Sequence, residues 1–346
     1  EAVFWGEKAV GLLSKTEDKT VAMIAKTNLS ANLIVVGDWA RAEELLLESL
    51  EFAAQANHPY LSKIYNSLGE LKFFQGRLDE ARELLEKGVE FADKNENEIS
   101  QIENALTMTS VFVAEGSIEE AIEEADEIIK CCKILAEEDL EIHARLILAE
   151  AYLTSEKLGK TKSELDAIEA GISKNSFAIT GKNQLLLGRL AAATDDSKTA
   201  IHSFRRALTI FETREDLYHS ALTHYLLGDI TSATDHERAS KHLMSASQVF
   251  RNLGVSKLHR SAEEKIEFLE SVGEEEDENS SVSAHENSAN SQLLMQRLAE
   301  ATASRELLFR ELIAILQQET EARKIIIAES DEKKNYFPFK VQSYFK

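Results

Sequence analysis

Apolar and small residues return along this chain at helical spacing, in paired runs separated by short polar or Gly-containing breaks. The clearest pair lies between Tyr60 and Lys94. Leu68-Gly69 marks a tight helix crossing, Gly76-Arg77-Leu78 a turn, and Asp79-Glu80-Ala81 the opening of a second helix whose Leu85 lies one turn past Ala81 on the same face. Taking the small residue of the first helix as an anchor, the pattern recurs at Ser30, Gly69, Thr109, Ala149, Gly188 and Gly228, with separations of 39, 40, 40, 39 and 40. A hairpin of that length cannot bury its apolar face alone, so the period predicts stacked helical hairpins.

The other units keep these offsets with drift. The first carries Gly37-Asp38-Trp39, Ala42 and Leu46, and the third Phe112, Gly116, Ile118, Ala121 and Ala125. In the fourth, Ala149 and Tyr152 precede Glu156, Leu158 and Leu165, with the turn glycine replaced; the fifth has Gly188, Ala200, Phe204 and Ala207. In the sixth, Ala239, Leu243 and Ala246 come one residue early, which predicts a shortened turn. Upstream, Phe4-Trp5 and Ala9-Val10-Gly11-Leu12 read as the second helix of a still earlier unit. With Glu1 in place of an initiating Met, this suggests a piece of a longer array. From Val255 to Val272, Leu258, Ala262, Ile266 and Leu269 form a helical stripe that would cover the last repeat.

The sequence of Leu-Gly, aromatic or small residue, turn Gly, Ala, bulky residue and Ala resembles the tetratricopeptide repeat between about Thr20 and Phe250. The family unit is about 34 residues; the longer period resembles the long-helix variant of signalling ATPases, kinesin light chains and large bacterial regulators. One departure is Lys72, at a position occupied by an aromatic residue in the family and in the units with Phe112 and Tyr152. The resemblance implies an all-α, right-handed solenoid of about six hairpins whose first helices line a concave groove. It places Lys63, Asn66, Glu70, Phe73 and Phe74 in that groove, with Leu106 and Val113, then His143, Leu146 and Glu150, then Lys182, Leu185 and Arg189, and finally Leu222 and Tyr225. A family clamp for a C-terminal carboxylate needs bases matched over three units, and Lys63 and Asn66 lack such partners. An extended or helical peptide on an apolar floor fits better, with Phe73-Phe74 as its sharpest contact or simply as packing against the next unit.

Composition narrows the partners. With 61 acidic against 39 basic residues the net charge is −22, which disfavours direct binding to nucleic acid or to an anionic membrane. No apolar run is long enough to span a membrane and no signal peptide is visible, so the chain reads as cytoplasmic. The two cysteines, Cys131 and Cys132, are adjacent and lack a second pair to complete a metal site. His219 and His224 are five apart and His236 and His242 six apart, missing the helical metal-pair spacing. Glu119-Glu120 and Glu123-Glu124 read as solvated faces. No nucleophile triad, phosphate loop or cofactor motif stands out, so the region reads as non-enzymatic and without a cofactor.

Three segments follow from these patterns: the solenoid and its closing helix over 1–272, an acidic flexible linker over 273–291, and 292–346. In the last segment Leu294, Leu298, Ala301, Leu308, Leu312 and Ile315 form a heptad-like seam broken by Arg305, suited to a homodimer through 292–322 or to packing on a following domain. Ile325-Ile326-Ile327, a polar turn at 330–334, and Phe337, Phe339, Val341 and Phe345 then alternate as strands. The run from Ser304 to Asp331 resembles the entry helix and first hairpin of a GAF-type domain in multidomain bacterial regulators. Such proteins also carry ATPase and, often, kinase domains. The implied role is protein or peptide binding and signal relay in a bacterial regulator. A structural scaffold and a small-molecule sensor using the concave face are the alternatives.

Overall fold

The structure is a computed structural model that describes residues 1–16, 18–171 and 177–279, together with the backbone of two short strands, 324–327 and 342–345. It divides into two compact units, Glu1–Ser271 and Val272–Lys346.

The first unit is all-α. Helix α1 (Ala2–Leu13) precedes six hairpins. These are α2 (Lys19–Val35) with α3 (Trp39–Gln55), α4 (Leu61–Phe74) with α5 (Leu78–Lys94), and α6 (Glu98–Glu115) with α7 (Ile118–Leu135). Then come α8 (Glu138–Thr154) with α9 (Leu158–Gly171), α10 (Phe177–Ala193) with α11 (Ser197–Thr213), and α12 (Leu217–Thr231) with α13 (His236–Leu253). Helix α14 (Ser256–Asn279) follows. All six anchors fall on the first helices and are buried. The reason is a close crossing: a Cβ added at Gly188 would lie 2.5 Å from Phe204 Cδ1, and one at Gly69 2.6 Å from Leu85 Cγ.

The turns repeat as faithfully as the helices. Gly37, Gly76, Gly116, Glu156 and Asp195, at equivalent positions after the first helices of the first five units, all have positive φ. Asn57, Glu96, Ala136 and Glu215 do the same after second helices. The conformation is thus a property of the repeat, kept even where a side chain makes it unfavourable by about 1–2 kcal/mol. Asp18, Asp38, Asn97, Asp196, Asp216 and Asp235 cap helix N-termini by accepting backbone N–H bonds. Lys72, where the repeat prefers an aromatic ring, is buried and donates to Glu43 Oε1 on α3 at 2.5 Å.

Two details differ from the sequence reading. In the sixth unit α12 ends at Thr231, three residues past its Gly228 anchor where the other first helices run five or six, while the connection through Asp235 is longer than in the other hairpins. The acidic run over 274–278, read as the start of a flexible linker over 273–291, has helical backbone as the end of α14, and 280–291 lie outside the described residues.

The core is not a simple stack of neighbours. One cluster joins Leu33, Trp39, Leu46 and Leu71 of the first two units with Ala221, Ala246, Phe250 and Leu253 of the sixth. Tyr218 bridges them, with ring centroids 6.3 Å from Trp39, 4.9 Å from Phe74 and 6.4 Å from Phe250. Gly37 lies at the same seam, and a Cβ there would be 2.9 Å from both Leu217 Cδ1 and Leu253 Cδ2. The first two hairpins and the last one therefore meet.

In the second unit, β1 (Lys324–Ile327) pairs antiparallel with β2 (Gln342–Phe345), Lys324 opposite Phe345 and Ile327 opposite Gln342. The proposed seam at Leu294, Leu298, Ala301, Leu308, Leu312 and Ile315, and the turn at 330–334, lie outside the described residues.

Candidate functional site

The first helices α4, α6, α8, α10 and α12 surround a cavity of about 260 Å³. Its apolar surface comes from Phe73 and Phe74 on α4, Leu106 on α6, Leu146 and Ile147 on α8, Leu185 and Leu186 on α10, and Tyr218 and Leu222 on α12. Thr107, Ser110 and Glu70 add polar groups. The lining shifts along the helix axes: α4 contributes its C-terminal turns and α12 its N-terminal ones.

Charge is distributed unevenly over this surface. Arg189 Nη1 donates to Glu150 Oε1 at 2.6 Å, linking α10 to α8. Lys182, two turns earlier on the same face of α10, makes no hydrogen bond or ion pair among the described residues. His143 lines the cavity with part of its ring open to solvent, and desolvation by the surrounding protein, followed by the Lys182 charge, pushes its pKa down to about 4 against a smaller opposing effect of Asp139. At neutral pH the ring is uncharged. Asp216 caps α12 and accepts from the His219 backbone N–H at 3.1 Å, with His219 Nδ1 2.9 Å from its carboxylate. Burial pushes the Asp216 carboxyl up, yet the hydrogen bonds and charge of His219, helped by Lys182, leave it below its ordinary value. Tyr218, pushed up to about 12 by burial and by Glu150 and Asp216, stays a neutral phenol.

Of the expected groove residues, Glu70, Phe73, Phe74, Leu106, His143, Leu146, Glu150, Lys182 and Arg189 meet in this cavity, as do Leu185 and Leu222. Four do not. Lys63 pairs with Glu103 at 2.5 Å beside His58 and Tyr60, and Asn66 Oδ1 accepts from Thr107 at 2.9 Å. Val113 packs with Leu85 and Phe112. Tyr225 turns to the closing helix, its hydroxyl 2.9 Å from Ser261 Oγ and its ring under Lys265. The shift of the lining along successive helices explains these misses. It also explains why Tyr218 and His219, ten and nine residues before the Gly228 anchor, enter the site unannounced. Thr107, Ile147 and Leu186 share one register position next to the predicted stripe, a signal the sequence did contain.

Among the described residues no group of three or more metal-ligating side chains gathers, and no helix is long and apolar enough to cross a membrane. Cys132 is buried and Cys131 exposed.

The family model of the tetratricopeptide repeat matches residues 21–94. No curated protein matches the chain by sequence. Among solved structures, NprR in complex with its cognate peptide NprX aligns over 91% of this chain and 92% of its own, at 14% identity and a TM-score of 0.56. Rap protein complexed with competence and sporulation factor aligns over 86% and 87%, at 12% identity and a TM-score of 0.52. The anaphase-promoting-complex hetero-tetramer Cut9-Hcn1 aligns over 90% of this chain and 52% of its own, at 15% identity and a TM-score of 0.50. Identities this low establish a shared fold. This chain carries that fold as an all-α helical solenoid containing a tetratricopeptide repeat region.

Proposed function

We propose that this chain is the peptide- or protein-binding and signal-relay region of a bacterial cytoplasmic regulator, and that the central cavity receives an extended segment of the partner. The observation that carries this reading is the convergence of five first helices on one apolar surface with an unpaired cation, Lys182. Backbone and side chains of a peptide would meet leucines and phenylalanines there, and a carboxylate or carbonyl would meet Lys182. Two proteins of the same fold were solved in complex, one with a cognate peptide and one with competence and sporulation factor, which supports the choice of ligand class.

The cavity's roughly 260 Å³ falls below the ~300–1,000 Å³ of ordinary ligand pockets. Anything larger than a few side chains has to displace Phe74 and Tyr218, which also join the second hairpin to the sixth. Binding would thereby loosen the closure, and α14 would pass the change to residues 292–346, where we place the coupling helix and the start of a GAF-like domain. Panning a random peptide library against the chain tests the first step. Leu146→Trp and Leu185→Trp, which fill the cavity, are expected to weaken the selected peptides at least about tenfold; undiminished binding by both variants overturns the reading. In the parent protein, deletion of the array should abolish the response to stimulus, and an equally responsive output would exclude relay.

A further inference from the structure

A second surface lies on the opposite side of α6 and belongs to no part of the cavity. Helices α5 and α7 flank a groove of about 730 Å³ whose floor is Ile102, Ala105 and Met108 of α6. Phe112 continues the floor, so its apolar residues span ten positions, or roughly 15 Å of helix. Glu86, Glu90 and Asp93 stand along one wall and Glu120, Glu124 and Glu127 along the other. The basic residues near them are already engaged. Arg82 pairs with Glu115 and stacks over Phe112, while Lys94 and Lys130 hold Glu90 and Glu127 in exposed pairs at 2.7 Å. Glu86, Glu120 and Glu124 have no ion pair among the described residues. Burial, then repulsion from Glu120 and Glu127, raises the Glu124 pKa, so the wall holds more negative charge than its surroundings neutralise.

We infer that this groove is a docking site for a basic amphipathic helix of a partner protein, its apolar stripe on the α6 floor and its Lys and Arg residues between the two carboxylate walls. The choice of occupant follows from charge complementarity on both walls and from a floor two to three helical turns long. Nucleic acid and anionic membrane are excluded by the same carboxylates. The site is independent of the central cavity, because the cavity takes Leu106, Thr107 and Ser110 from the other face of α6.

Cys131 lines the groove and is exposed, whereas Cys132 is buried, so alkylation of Cys131 reports occupancy. The probe is a synthetic Leu/Lys peptide of about 18 residues, five helical turns, with its leucines on one face. A scrambled peptide of equal composition and a Leu/Glu counterpart serve as controls. The amphipathic basic peptide should slow Cys131 alkylation about tenfold at saturation, and the paired changes Glu86→Gln with Glu120→Gln should weaken it about tenfold. Ala105→Trp, which fills the floor, should do likewise, while Leu185→Trp in the cavity should leave binding unchanged. Equal protection by the scrambled peptide reduces the effect to bulk charge and overturns the proposal. So does unchanged affinity in both the double-Gln and Ala105→Trp variants, or binding that fails to protect Cys131.

Discussion

Helix α6 separates two surfaces that differ in chemistry and in how they are built. Its inner side, through Leu106, Thr107 and Ser110, joins a cavity that mixes apolar side chains with Lys182, His143 and the Glu150–Arg189 pair. Its outer side supports a groove walled by carboxylates. The outer groove is assembled from three consecutive helices, so the repeat alone makes it. The inner cavity needs residues from Glu70 to Leu222 and the meeting of the second hairpin with the sixth. A local surface survives a change in superhelical closure, and a surface built by closure does not.

The largest expected difference follows from Tyr218→Ala. It removes the ring touching Trp39, Phe74 and Phe250, at a cost of about 3 kcal/mol for a large-to-small aromatic change. Thermal melting should fall and small-angle scattering should report a larger radius, while the outer groove keeps its affinity for the basic peptide. If the groove is lost as well, the two surfaces are not independent.

Next comes a paired test at two turn glycines. Gly37 (φ 81°) and Gly76 (φ 73°) share a backbone conformation, but a Cβ at Gly76 meets nothing within 4 Å whereas at Gly37 it meets Leu217 and Leu253. Both alanine variants lose about 1 kcal/mol to backbone strain. Gly37→Ala should lose about 1 kcal/mol more to crowding, read from denaturation midpoints. Equal losses would show that the closure contributes nothing in solution.

Acid should act on the two faces in opposite directions. His143 titrates at about 4 when folded against 6.5 when unfolded, so its neutral form favours folding above 6.5 and that contribution is lost as pH falls toward 4. Because cavity water reaches the ring, the loss is about 1 kcal/mol rather than the full linkage value. His143→Gln should flatten it. Glu124, with its carboxyl raised, contributes stability below its unfolded pKa and loses it as pH rises through the folded value. Glu124→Gln should therefore be the mildest change, neutral or stabilising by about 0.3 kcal/mol at pH 7 in urea titrations. A marked destabilisation would mean that the carboxylate is held by partners rather than repelled by its neighbours.

Much of the architecture was legible in the chain because each repeat is local. Gly69, Gly188 and Ala81 mark crossings that only a small residue permits, and those crossings recur at fixed offsets. Even where a glycine is missing, as at Glu156, the turn keeps its left-handed conformation, since both flanking helices are fixed by packing. The site was partly legible for the same reason: Glu70, Leu106, Leu146, Glu150, Leu185 and Arg189 occupy inward positions of first helices. His224 and His242 show the limit. Their Nδ1 atoms lie 2.8 Å apart across α12 and α13, a meeting that spacing along one helix cannot announce.

Sequence by itself determined the helices, their pairing, the turns of the first five hairpins and the acidity of the outer walls, because these depend on neighbours within one period. Only the tertiary structure decided where the array closes. A small rotation and rise between units, added over five steps, brings Trp39 and Phe74 to Tyr218 and moves the cavity lining from the end of α4 to the start of α12. No single repeat contains that sum, so Tyr218 and His219 became site residues only when all six hairpins were stacked.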